Sequence, residues 1–283
     1  MFWFEEDNYN WPYRKSFYRV TQVLYSGRSA YQQIDVCNLE FYGKALFLDR
    51  GLQFTEFDEA LYHEMFVHPA AGVLKPRRVC ILGGGDGGVC REVLKHPSIE
   101  EIKLCDIDRE VVDVCSTHFP RLANSLNDPK VEVVFADARD FIKEFNQYFD
   151  LIFVDLTDLS DCSRHLYSKT FLSDIKKALR PDGAVVMQTS GIYFSRDESF
   201  NFWTLSGMFN DLFRFVSTSS ILVSSFSDGD NSFTYASDAH NFKKLDFVNL
   251  DGFDIKFYTP SFAKGSFCLP LLFEQQIFLN LNF

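Results

Sequence analysis

The chain lacks paired cysteines. Its seven cysteines, at positions 37, 80, 90, 105, 115, 162 and 268, include no Cys-x-x-Cys and no Cys/His cluster with zinc-ligand spacing. The odd number, mostly within apolar runs, predicts reduced and buried thiols, and no metal site is expected. Positive charge is scarce: 28 Lys and Arg stand against 39 Asp and Glu, for a net charge of -11. Nucleic acid is therefore not an expected partner, because phosphates need basic surfaces. A negative field draws cations instead, although acidity also serves plain solubility. No apolar run is long enough to span a bilayer, so no membrane partner is expected. The opening residues Met1-Phe2-Trp3-Phe4-Glu5-Glu6-Asp7 carry no positive charge and no apolar h-region. No secretory signal is expected, and the predicted location is cytoplasmic.

What is abundant is apolar and aromatic: 46% of residues are hydrophobic and 32 are Phe, enough for a sizeable core. Residues 1–66 read as a small β domain. Arg19–Tyr25 and Tyr31–Val36 are predicted strands around a turn at Ser26-Gly27. Leu39–Phe41 and Ala45–Asp49 follow, with a turn at Arg50-Gly51. Residues 58–66 have helical spacing, with Asp58 or Thr55 as cap.

Residues 67–283 read as a Rossmann-like domain in which strands and helices alternate. Strands are predicted at Arg78–Leu82, Ile102–Cys105, Val131–Phe135, Phe149–Val154 and Ala184–Gln188. Helices are predicted at Gly88–His96, Arg109–His118, Asp137–Phe145 and Ser168–Leu179, the last stopped by a turn at Pro181-Asp182-Gly183. This alternation predicts a parallel α/β sheet with helices on both faces. Two more strands are expected near 217–224 and 231–237, followed by irregular chain. Phe200, Phe202, Trp203, Phe209 and Phe213 have helical spacing and read as core.

Four strand ends carry chemistry. Gly83-Gly84-Gly85-Asp86-Gly87-Gly88 follows one strand and opens a helix, the context of a nucleotide-binding turn. The next strand ends at Asp106, where a carboxylate can accept from both ribose hydroxyls. The third ends at Ala136-Asp137-Ala138, where Asp137 reads either as an acceptor for an adenine amino group or as a helix cap. Asp86 puts a negative charge into a loop type that usually cradles anions, so it favours a ligand with a cationic amine tail. After the fourth strand, Asp155 and Asp158 flank one short loop. One such acid can take a proton from an amine nucleophile and the other can hold a second amine, or both can simply cap the turn.

Tyr31-Gln32, Leu48-Asp49-Arg50-Gly51-Leu52-Gln53, Asp58-Glu59 and Tyr62-His63-Glu64 resemble the N-terminal half of spermidine synthases in order and spacing. Gly83–Gly88 with Arg91–His96, Phe119-Pro120 and Asp128–Val131 also resemble that family of polyamine aminopropyltransferases. The likeness covers roughly residues 18–190. It implies an N-terminal β domain on a methyltransferase-type sheet. It also implies aminopropyl transfer from decarboxylated S-adenosylmethionine to an amine such as putrescine, giving spermidine and methylthioadenosine. That sulfonium nucleoside would be a co-substrate, with no prosthetic group. The resemblance implies Asp155 as proton acceptor, Asp158 at the far end of the amine, and Asp86 on the aminopropyl amine. It implies Asp106 on the ribose, Asp137-Ala138 on the adenine, and Gln32 and His63 as further substrate contacts, with Tyr62 and Gln53 lining the pocket. It also implies a homodimer or homotetramer formed through the β region.

The sequence departs from the family around the amine. Asp158-Leu159-Ser160-Asp161-Cys162-Ser163 lacks the family's prolines and glycine, and Asp161 adds an acid. Ser225-Phe226-Ser227 stands where a tyrosine is expected, and Ala263 replaces a histidine. Two other readings use part of the same sequence. An S-adenosylmethionine-dependent methyltransferase explains the glycine loop and Asp106. A non-catalytic polyamine-binding relative accommodates the altered 159–163 loop and Phe226.

Overall fold

A computed structural model describes residues 1–6, 15–157, 163–189, 191–192, 202–227 and 229–270, with the backbone alone at 202–203. Five antiparallel strands form the first sheet in sequential order: β1 (Phe2–Glu6), β2 (Ser16–Arg28), β3 (Gln33–Leu39), β4 (Gly43–Leu48) and β5 (Gly51–Thr55). The predicted turn at Ser26-Gly27 is absent, because β2 runs on and pairs Gly27 with Ile34. A Cβ on Gly27 would lie 2.4 Å from the Tyr25 hydroxyl, so a larger residue there would shift the Tyr25 ring. The turn is made by Ser29, whose hydroxyl accepts from the Tyr31 and Gln32 amides at 3.0 and 3.1 Å. Tyr31-Gln32 thus belongs to that turn rather than to a strand, and residues 40–42 form the next turn. β1 and β5 were not anticipated; β5 follows directly from the Arg50-Gly51 turn.

The helix expected at 58–66 is α1 (Glu59–Leu74) and continues through Pro69. Asp58 occupies the cap position but makes no capping hydrogen bond. Its carboxylate is already engaged. It accepts from the Thr55 hydroxyl at 2.7 Å, the Ser224 and Ser225 hydroxyls at 2.9 and 2.8 Å, and the Ser225 amide at 2.8 Å. Asp58 therefore joins the start of α1 to the 224–226 turn.

The second sheet comprises β6 (Arg78–Gly83), β7 (Glu101–Asp106), β8 (Val131–Phe135), β9 (Phe149–Asp155), β10 (Leu179–Gln188), β11 (Phe215–Leu222) and β12 (Asp230–Ser237). Its order is β11-β12-β10-β9-β6-β7-β8. The five predicted α/β strands are parallel, while β12 is antiparallel to both β10 and β11, so the sheet is mixed. The stop at Pro181-Asp182-Gly183 is instead an irregular stretch inside β10, where the register shifts between Leu179 and Ala184.

The connecting helices are α2 (Gly88–Leu94), α3 (Arg109–His118), α4 (Pro120–Ala123), α5 (Ala138–Ile142), α6 (Lys169–Ala178) and α7 (Phe202–Leu212). α5 is shorter than expected, with Asp137 capping it through the Arg139 amide at 2.8 Å. The tail expected to be irregular contains α8 (Pro260–Ser266).

Two apolar clusters lie on opposite faces of the second sheet. Ile81, Phe153 and Val186 point toward α1, and Leu82, Ile152 and Met187 toward α6. Phe209 and Phe213 are core, whereas the side chains of Phe200, Phe202 and Trp203 lie outside the described residues. Cysteines 37, 80, 90, 105 and 115 are buried as expected; Cys268 is exposed.

Buried Glu64 of α1 accepts from the backbone amides of Lys256, Phe257 and Tyr258 at 2.8, 2.7 and 2.8 Å, and so fastens the tail to the helix. Removing the carboxylate strands three donors. Glu64→Ala is expected to lower the unfolding free energy by roughly 2–5 kcal/mol, read as a lower urea midpoint.

Candidate functional site

The cleft lies where the first sheet and α1 meet the carboxyl ends of β6, β7 and β9, the edge at which α/β sheets bind ligands. Its floor depends on a close backbone approach. Gly83 and Gly84 have φ of +83° and +69°, and the Gly84 amide donates to the Asp155 carbonyl at 3.1 Å. A Cβ on Gly83 would stand 2.1 Å from that carbonyl oxygen. Only glycine permits both the φ and the contact.

The loop then carries Asp86 beneath α1. The Asp86 carboxylate accepts from the Gly88 amide at 2.6 Å, and His63 Nε2 lies 3.7 Å from the same oxygen. The Asp155 carboxylate accepts from the Tyr62 hydroxyl at 2.7 Å. His63, Asp86 and Asp155 each place one polar atom within 4.8 Å of the others. Behind them, His63 Nδ1 donates to Glu59 at 2.8 Å, and Arg91 grips Glu59 through two bonds of 2.9 and 2.8 Å.

This packing sets the protonation states. Burial pushes the Asp155 carboxyl up to about 7, Asp86 adds to the rise, and His63 and the Tyr62 hydroxyl pull it back. Burial would lower His63, but its bond to Glu59 and the nearby Asp86 outweigh that and raise it. Burial would raise Glu59, but His63 and Arg91 hold it at about 2. These contacts favour the protonated form of His63. Asp86 and Asp155 line the cleft beside it.

Along the same edge, Asp106 accepts from the Gly85 amide at 3.0 Å and the Asp108 amide at 2.9 Å. A carboxylate offers about four acceptor sites, so each oxygen keeps capacity for a ligand hydroxyl. Burial raises Asp106 to about 6, opposed by these two bonds. Asp137 and Ala138 line the cleft, and Asp137 receives His165 Nε2 at 3.0 Å while it caps α5. Gln32 donates to Asp108 at 3.0 Å from the roof, and Gln53 lines the wall. Nine of the ten residues singled out in the sequence therefore face one cavity. The tenth, Asp158, lies outside the described residues, as does the altered stretch 159–162.

Sequence reasoning missed Glu59, although its i, i+4 spacing to His63 on a helix was a readable signal. It also missed His165, Gln188, Asp230 and Asn231, which line the cavity from distant segments. Phe226 lines it too, packed edge-on to Tyr62 with ring centroids 6.2 Å apart.

Because Asp155 is raised in the fold, the native state binds more protons than the unfolded chain between about pH 4 and 7. Its ionisation thus costs stability above pH 7. Asp155→Asn keeps an acceptor for Tyr62 and removes the charge. It is expected to raise Tm at pH 8, with the gain shrinking as pH falls through 7 and gone near 4. A pH series of thermal melts checks this.

Residues 59–255 match the Spermine/spermidine synthase domain, and residues 2–56 match the Spermidine synthase tetramerisation domain. The chain is 35% identical to the polyamine aminopropyltransferase of Hydrogenobaculum sp. over 94% of its own length and 93% of that protein's. It is 38% identical to spermidine synthase 2 of Arabidopsis thaliana over 69% of its length, which spans 58% of that relative. A crystal structure of spermidine synthase in complex with the transition state analogue AdoDATO superposes with a TM-score of 0.91 at 29% identity, covering 98% of this chain and 95% of that one. Spermidine synthase from Thermotoga maritima superposes with a TM-score of 0.90 at 29% identity, covering 99% and 95%. With both of its domains matched in order and its fold shared from end to end, the chain belongs to the spermidine synthase family of polyamine aminopropyltransferases.

Proposed function

We propose that the protein transfers the aminopropyl group of decarboxylated S-adenosylmethionine to an amine acceptor, putrescine first, yielding spermidine and methylthioadenosine. The observation that carries this reading is the Asp86–Asp155 pair, with Asp155 raised to about 7 beside the glycine loop in one cleft. A base titrating near neutrality can take a proton from an ammonium and release the lone pair that attacks the sulfonium-bound methylene. The new C–N bond forms as the C–S bond breaks, and the electron pair leaves on the sulfur of methylthioadenosine. Alignment of amine and sulfonium above Asp155 supplies the remainder of the acceleration.

In this assignment Asp86 holds the donor's amine, which a carboxylate-bearing donor would oppose by repulsion. Asp106 receives the ribose hydroxyls and Asp137-Ala138 the adenine edge. Tyr62 orients Asp155, and His63 keeps the two carboxylates in place. Gln32 and Gln53 close the nucleoside side, and Asp158 is assigned to the acceptor's far amine. We assign residues 1–66 to the oligomerising β domain and 67–283 to the catalytic domain, as a cytoplasmic homodimer or homotetramer. The AdoDATO complex of the related spermidine synthase supports the donor assignment.

Mass-spectrometric detection of methylthioadenosine, with a panel of diamines and triamines, tests the reaction. Release is expected with putrescine, and Asp155→Asn is expected to lower kcat about 10²- to 10⁴-fold with the fold retained. Tighter binding of S-adenosylmethionine than of its decarboxylated form would overturn the donor assignment. Absence of release with every amine would overturn the reaction.

A further inference from the structure

One buried carboxylate behind the cleft has no part in the proposed reaction. Glu59 opens α1, and its side chain is 11% exposed. It is not among the residues that line the cavity. His63 stands one turn later and presents its two ring nitrogens to different acids. Nδ1 lies 2.8 Å from a Glu59 oxygen, and Nε2 lies 3.7 Å from an Asp86 oxygen. The ring is wedged in place: its side chain is 2% exposed, and a Cβ on Gly88 would lie 2.2 Å from Nε2. Glu59 is fixed in turn by the two bonds from Arg91, a bidentate pair that leaves its carboxylate little freedom.

Charges alternate along this line, from Arg91 through Glu59 and His63 to Asp86 and Asp155. The groups that face Asp155 are Asp86 from the glycine loop, Asp106 from the end of β7, and Tyr62 and His63 from α1. Of these four, only His63 can carry a positive charge. His63 itself faces Glu59, Asp86 and Arg91, and Arg91 also bonds Glu92, which Lys95 and His68 hold from its other side. A neutral imidazole would leave Asp86, Asp106 and Asp155 together without a counter-charge, and a carboxyl beside like charges keeps its proton to higher pH. The charge on Glu59 thus reaches Asp155 by way of the His63 ring.

We infer that Glu59 is a positioning residue: it holds His63 charged and aimed at the Asp86–Asp155 pair, and thereby sets the pH range over which the enzyme turns over. This rests on the proposed aminopropyl transfer for the role of Asp155 as base; the hold on His63 does not. The rise of His63 despite its burial has the direction that this role requires.

Glu59→Gln keeps an acceptor for Nδ1 and removes the charge. Asp155 then loses its counter-ion, and the acid limb of the kcat profile is expected to move up by about one pH unit. The loss of kcat should be larger below pH 7 than above it. Arg91→Gln keeps a donor for Glu59 but removes a cation that opposes the His63 proton, so its acid limb should stay at the wild-type pH or move down. A merely structural role predicts instead that both variants disturb the ring alike, with Tm and kcat reduced equally at every pH. NMR titration of isotope-labelled histidines, with the His63 signal assigned from His63→Gln, gives a readout that needs no turnover. His63 is expected to lose its proton at lower pH in Glu59→Gln than in the wild type. If it does so and no methylthioadenosine is ever released, the hold on His63 stands while the reaction falls. If His63 titrates alike in both proteins and the acid limb does not move, the inference is overturned while the reaction stands. An acid limb that moves up in Arg91→Gln overturns it without recourse to the Glu59 variant.

Discussion

The close approach of Gly83 and Gly84 to the Asp155 carbonyl governs the whole site. β6 and β9 are hydrogen-bonded neighbours, and the chain leaving β6 must turn at once without a side chain in the way. That turn brings Asp86 back against Asp155, so two carboxylates meet in a cleft walled by Tyr62 and Phe226. Two acids this close cannot both ionise freely without a counter-charge. The proton affinity of Asp155 is therefore a product of backbone geometry as much as of residue type.

The counter-charge comes from α1. Glu59, one turn ahead of His63, is itself held by Arg91 of α2. The two Arg91–Glu59 bonds tie α2 to α1 beside the cleft. An imidazolium within the acidic cluster offsets part of the repulsion while leaving Asp155 high enough to exchange a proton near neutrality. Small motions of α1 relative to β6 would be felt here. Asp58 and Glu64 limit such motions by anchoring the helix to the 224–226 turn and the 256–258 segment.

Much of this was legible in the residues. The glycine loop, the acids ending β7, β8 and β9, and the Tyr62-His63 pair stand in the linear order that the fold uses. Local errors arose where tertiary contacts overrode short-range signals. Gly27 reads as a turn residue but lies within β2 under the Tyr25 ring. Asp58 reads as a cap but spends its carboxylate on Thr55, Ser224 and Ser225. The strand β12 was readable near 231–237, but its antiparallel pairing with β10 was not, and the helix α8 had no periodic signature strong enough to stand out from an aromatic-rich tail.

The sequence by itself determined the part of the cleft around the glycine loop, because those residues sit at strand ends in a fixed linear order. The tertiary structure alone decided the opposite side of the cleft and the charge states. Asp230, Asn231 and His165 reach the cavity from segments far from the glycine loop, and no local pattern marks them. Nor does any local pattern raise an aspartate to about 7; that takes burial and the neighbours that burial brings together.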